Sequence, residues 1–216
     1  MTNQGVRSEG QIDAVERQVS ATSSDDTVST LVALSQTFDT DTRDLWDACT
    51  NPERIPLWFA PVSGDLQQGG RFQIQDNAEG TIETCEPPRT FTATWEFQGY
   101  VSWIAVRVEE IDDARSRLSL EHTANEDPDN WAAYGPGAGG VGWDLAFLGL
   151  ANHVSRGAAT ATEAMEWMGT SDAERFIRES SRRWADRSIE AGTPEETARA
   201  AEKRVGDMYL GIENEE

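Results

Sequence analysis

The stretch that decides the fold runs from Arg71 to Ala124: RFQIQDNAEGTIETCEPPRTFTATWEFQGYVSWIAVRVEEIDDARSRLSLEHTA. Five runs, RFQIQ, GTIETCE, RTFTATWEF, YVSWIAVRVEEI and SRLSLEHTA, recur at about ten-residue spacing, parted by turn-forming DNAEG, PP, QG and DDA. Alternation puts Phe72 and Ile74 on one face, with Phe91, Ala93 and Trp95; Ile104, Val106 and Val108; and Leu118, Leu120 and His122. The opposite positions, among them Arg71, Gln73, Thr92, Thr94, Glu96, Arg107, Ser119 and Glu121, are mostly polar. A period of two with one apolar face describes an antiparallel meander that is wet on one side and covers something on the other.

The cover is found downstream. After the glycine-rich GPGAGG, residues 135–140, VGWDLAFLGLANHV runs at helical spacing through Val141, Leu145 and Leu148, and on a neighbouring line through Trp143, Phe147, Leu150 and Val154. A helix apolar nearly all round is buried on two sides, so it meets the sheet and also another element or another subunit. The glycine run lacks the Lys-Ser/Thr of a phosphate-binding loop and reads as a flexible approach to this helix. The tail carries two capping-box patterns, Ser171 to Glu174 and Thr193 to Glu196, each opening an amphipathic helix. Their stripes, Phe176, Ser180 and Trp184, then Ala198, Ala201, Val205, Met208 and Tyr209, offer two outcomes. Either long helix and tail form a homodimer interface, or the tail folds back on its own helix.

Upstream, residues 27–38 alternate as a strand, and Asp41 caps a short helix over residues 42–49. Asn51-Pro52 opens a second short helix that Pro56 or Pro61 ends or bends, with Trp58 and Phe59 at its end. Gly69-Gly70 then turns the chain into the meander. Residues 1–26 hold no apolar block; they read as a disordered segment, neither signal peptide nor anchor, which points to the cytoplasm. The expected organisation is this segment, a domain over 27–158 and a helical extension over 159–216.

An α+β helix-grip fold results: a curved antiparallel sheet of about six or seven strands around a long helix, with two short helices after the first strand. The words LWDACTNPERIPLWFAPVSGDLQQGGRF, GTIETCEPPRTFTATWEF and RLSLEHT, in series, resemble the SRPBCC (START-like, birch-pollen-allergen-like) superfamily. Within it they look most like the bacterial family named for the C-terminal domain of the activator of the 90-kDa heat-shock protein ATPase. The resemblance covers roughly residues 28–157 and implies a cavity between sheet and long helix. It does not imply one chemistry, because the superfamily includes lipid carriers, cyclases, hydroxylase subunits and co-chaperones.

Composition narrows the partners. A formal charge of −21, with Lys203 the single lysine, argues against nucleic acid and against insertion into a membrane. Cys49 and Cys85 lie far apart with no CxxC or histidine cluster, so they read as buried reduced thiols, and no metal or cofactor is expected. The expected cavity lining is Trp58, Phe59, Phe72, Ile74, Trp95, Ile104, Val106, Leu120, His122, Trp143, Leu145 and Leu148. No residue is assigned a catalytic role, since neither His122 nor His153 has a serine or cysteine placed beside it by sequence. Three functions stay open: binding of a small, largely hydrophobic molecule, which leads; a protein-interaction or co-chaperone-like module; and a cyclase or hydrolase using His122 with a nearby carboxylate.

Overall fold

The computed structural model describes residues 6–24, 26–156 and 161–212. The expected break between residues 158 and 159 lies outside them. A one-turn helix α1 (Gln11–Ala14) leads into β1 (Glu16–Ser23), which pairs along its whole length with β2 (Val28–Phe38). This corrects the expectation of disorder over 1–26 for the part described. The strand ERQVSATS is an edge strand with mostly exposed side chains, so it carries no core pattern to read.

β2 shows the clean alternation that its sequence promises, with Val28, Thr30, Val32, Leu34, Gln36 and Phe38 buried. Asp41 caps α2 (Thr42–Thr50) by accepting from the Arg43 and Asp44 amides. The second short helix is only a 3-10 turn, Ile55–Leu57, with Pro56 inside it rather than ending it. Then come β3 (Val62–Gly64), β4 (Arg71–Ile74), β5 (Glu79–Glu86), β6 (Thr90–Phe97), β7 (Tyr100–Asp112) and β8 (Arg115–Glu126). The curved sheet has eight strands in the order β1-β2-β8-β7-β6-β5-β4-β3, all neighbours antiparallel. That exceeds the expected six or seven by β1 and the three-residue β3, both at edges.

After β8, Asp127 caps α3 (Pro128–Tyr134), and the long helix α4 follows (Gly137–Arg156). The glycine run is therefore not a flexible approach: from Gly137 it is the first turn of α4. A Cβ on Gly140 would come within 2.4 Å of the Trp184 ring, and one on Gly137 within 3.3 Å of Val205. The glycines let the tail press against the helix backbone.

Three tail helices, one more than expected, complete the chain: α5 (Ala161–Met168), α6 (Ser171–Glu190) and α7 (Glu195–Tyr209). Thr170, rather than Ser171, caps α6, and the Thr193 hydroxyl accepts from Ser188 instead of capping α7. α6 lies against both α4 and β1, so the tail folds back on its own long helix. Phe176, Ser180, Trp184, Ala198, Ala201 and Val205 of the two stripes are thereby buried within the chain, while Met208 stays exposed.

One buried pair ties these layers together. Arg17 on β1 donates from Nε and Nη2 to the two carboxylate oxygens of Asp144 on α4, at 3.1 and 2.8 Å. Ser180 Oγ (2.5 Å) and Trp184 Nε1 (2.9 Å), both on α6, donate to the same carboxylate. Burial pushes the Asp144 carboxyl up while these partners pull it back. Arg17 also donates to the Ile12 and Val15 carbonyls, so its charge is fully engaged.

Candidate ligand-binding cavity

The inward face of the meander and one face of α4 line a partly open cavity of about 350 Å3. The strands contribute alternate residues, Phe72 and Ile74, Ala93 and Trp95, Ile104 and Val106, and Leu118 and Leu120. α4 contributes Trp143, Ala146, Phe147 and Leu150, which its 100° step per residue brings to one side. Trp46, Cys49 and Thr50 of α2, with Ile55, Trp58 and Phe59, close the far end. No lining residue is an acid, a histidine, a lysine or an arginine. Burial pushes the Cys49 thiol up to about 12, so it is neutral at physiological pH.

Trp58 and Phe59 are held in place from three directions. Trp58 Nε1 donates to the Ala48 carbonyl at 2.9 Å, which ties it to α2. Its own carbonyl lies so close to α4 that a Cβ on Gly149 would sit 2.2 Å from it. The Trp58 and Phe59 rings stack with centroids 5.6 Å apart, and Phe59 continues onto Trp143 at 6.4 Å. Trp143 in turn meets Trp95 at 5.0 Å.

Nine of the twelve expected lining residues meet here: Trp58, Phe59, Phe72, Ile74, Trp95, Ile104, Val106, Leu120 and Trp143. Three do not. Leu148 packs with Trp167, Ala173 and Phe176 of the tail, and Leu145 lies between that cluster and the main core. Both are on the face of α4 turned away from the sheet, a choice that a uniformly apolar helix does not encode.

His122 is the third exception, and it sits on the other side of an aromatic wall. Phe59, Trp95 and Trp143 line both the cavity and a second hollow of about 420 Å3, which also holds His122, Ser102, Asp76, Asn125 and Glu126. Trp143 Nε1 donates to His122 Nδ1 at 3.0 Å. An indole N–H can only donate, so Nδ1 is the unprotonated nitrogen and Nε2 carries the hydrogen. Nε2 then donates to Ser102 Oγ at 2.8 Å, and Ser102 donates to the Trp95 carbonyl at 2.9 Å. Desolvation lowers the His122 pKa to about 4, consistent with a neutral ring. Its described partners are an indole and a hydroxyl, and the carboxylates of the same hollow, Asp76 and Glu126, are not among them.

His153 accepts from Arg54 Nε at 3.2 Å. Arg54 also bonds Asp44 and Asp47, pinning the segment before Trp58 to α2 and α4. The sequence reading missed Trp46, Cys49, Phe91, Phe147 and Leu150 as lining; the alternation that marked Phe91 and the helical line through Phe147 and Leu150 were the available signals. Among the described residues, no three His, Cys, Asp or Glu side chains gather as metal ligands, and no helix is long and apolar enough to cross a membrane.

An eight-stranded curved sheet gripping a long helix across an apolar cavity defines a helix-grip, START-like protein. A family model described as Activator of Hsp90 ATPase homolog 1-like protein matches residues 39–155, more than half of the sequence, and the chain belongs to that family. The crystal structure of CalU16 from Micromonospora echinospora is similar at 29% identity, covering 82% of this chain and 99% of that one, with a TM-score of 0.63. The solution structure of CalU16 gives 27%, 89%, 100% and 0.68. Coverage this wide takes in part of the tail. Protein MLL2253 from Mesorhizobium loti, at 21% identity over 60% of this chain and 99% of its own with a TM-score of 0.53, shares the fold. No curated protein gives a significant sequence match.

Proposed function

We propose that the protein binds a small, largely hydrophobic molecule, without chemical conversion, in the cavity between sheet and α4. The observation that carries this reading is the cavity itself: about 350 Å3 with no ionisable charge in its lining. That volume falls within the range of about 300–1,000 Å3 typical of small-molecule sites, whose walls are predominantly apolar and aromatic. Four of the eight tryptophans, Trp46, Trp58, Trp95 and Trp143, line it. Quenching of tryptophan fluorescence by a panel of apolar compounds therefore reads occupancy directly. Saturable quenching that Trp95→Ala weakens supports the reading; no quenching by any compound, with Trp95→Ala altering stability alone, ends it. The free thiols Cys49 and Cys85 favour a reducing, cytoplasmic setting.

A co-chaperone-like role is the second reading. The family's description favours it, and the exposed Trp103 and Ile111 on β7 offer apolar contact points. A pull-down with the host's 90-kDa chaperone that retains the protein supports it; no retention counts against it.

A further inference from the structure

We propose that the ligand is amphipathic and that its polar end is a hydrogen-bond donor, a hydroxyl or an ammonium group, seated in the outer hollow on the far side of the aromatic wall. This rests on the ligand-binding reading above and narrows it to a ligand class. The inner cavity and the outer hollow of about 420 Å3 are back to back and share Phe59, Trp95 and Trp143. The wall between them consists at these points of side chains, which change rotamer without unfolding a strand or helix. A ligand that moves Trp143 aside joins the two hollows.

Two independent features select a donor. The first is His122 Nδ1, which accepts the indole N–H of Trp143 at 3.0 Å and loses that partner when the ring moves. While Nε2 on the opposite side of the ring donates to Ser102, whose own hydrogen goes to the Trp95 carbonyl, Nδ1 is an acceptor; making it a donor would require Ser102 to turn its hydrogen onto Nε2 and abandon that carbonyl. A hydroxyl or ammonium replaces the lost N–H, whereas a carboxylate or phosphate diester sets acceptor against acceptor. The second is charge. Asp76 and Glu126 line the outer hollow and no lysine or arginine does, within a chain of net charge −21. An anionic head group finds no counter-charge there.

The outer hollow also accounts for apolar surface that the fold leaves bare. Tyr100 (74% exposed), Val101 (49%) and Phe97 (45%) form its rim at the β6–β7 turn, so the hollow can cover both the polar end and the adjoining hydrocarbon.

The test is calorimetric titration of the full chain with three compounds that share one apolar body: 2-naphthylmethanol, 2-naphthylmethylamine and 2-naphthoate, at pH 7.5 and low salt. The alcohol and the amine are expected to bind roughly tenfold more tightly than the carboxylate. In the Asp76→Asn/Glu126→Gln double variant, the gap between amine and carboxylate is expected to shrink by at least about threefold, as it is in wild type at high salt. If 2-naphthoate binds within about threefold of the alcohol, or more tightly, the donor requirement is overturned while the cavity reading stands. If none of the three binds, both are overturned.

Discussion

Replacing Asp144 with alanine removes one carboxylate that serves three elements at once. The Arg17 side chain is 5% exposed and that of Asp144 1%, so the change strands a guanidinium away from water. It also leaves the Ser180 hydroxyl and the Trp184 indole N–H without their acceptor. Breaking a buried pair by deleting one partner costs about 3–5 kcal/mol, because an uncompensated charge stays behind. For a chain of this size, about 2–4 °C of melting temperature goes with each kcal/mol, so Asp144→Ala should melt roughly 6–20 °C below wild type. Circular dichroism melts with urea unfolding at pH 7 provide the measurement. The control is Arg17→Met/Asp144→Leu, which removes both charges and should recover at least half of the loss. A loss for Asp144→Ala below about 1 kcal/mol, or a double variant as unstable as the single one, refutes the claim that this pair locks β1 and α6 onto α4.

Gly149→Ala places a methyl 2.2 Å from the Trp58 carbonyl and should cost about 1–3 kcal/mol while loosening the cavity wall. Gly139→Ala on the same helix meets nothing closer than His122 Nδ1 at 3.9 Å and should stabilise by about 0.4–1 kcal/mol, a contrast that urea unfolding of the two variants checks. His122 is held neutral with a folded pKa lowered from 6.5 to about 4, so the unfolded chain binds the proton first and stability is lost as pH falls from about 7 towards 4. Urea unfolding at pH 7 and pH 5 should show that His122→Gln removes on the order of 2 kcal/mol of that decline; an unchanged decline contradicts the assignment. A chain ending at Arg156 exposes Leu148 and the buried Asp144 and should aggregate or fail to melt cooperatively, whereas a sharp melt near the full-length value would show the tail to be dispensable.

The sheet was legible because a period of two is unambiguous: once Phe72, Ile74, Ala93, Trp95, Ile104, Val106, Leu118 and Leu120 alternate with polar residues, one face must be the core. The same logic located most of the cavity. α4 defeated it. With apolar residues on all sides the helix has no preferred face, so Leu145 and Leu148 could be assigned to the sheet although they meet the tail. Asp144 went unread because its meaning depends on Arg17, 127 positions away, on a strand too polar to announce itself. α3 did carry a signal, the capping Asp127 before Pro128 at the first helical turn. The glycines at 137 and 140 show the opposite error: flexibility was inferred where close packing requires the absence of a side chain.

The central claim is that the space between Trp143, Ala146 and the inner sheet face receives an apolar ligand. Calorimetric titration with 2-naphthylmethanol, in wild type and in Ala146→Phe, tests it most directly, because the added ring fills the cavity from α4 and touches neither His122 nor the outer hollow's rim. Wild type should bind one equivalent with a dissociation constant on the order of tens of micromolar, a modest yield per atom for a ligand of about twelve heavy atoms. Ala146→Phe, folded by circular dichroism, should bind at least tenfold more weakly, by roughly the 1.4 kcal/mol that a tenfold change represents. Equal binding in both proteins, or no binding in wild type, would contradict the account.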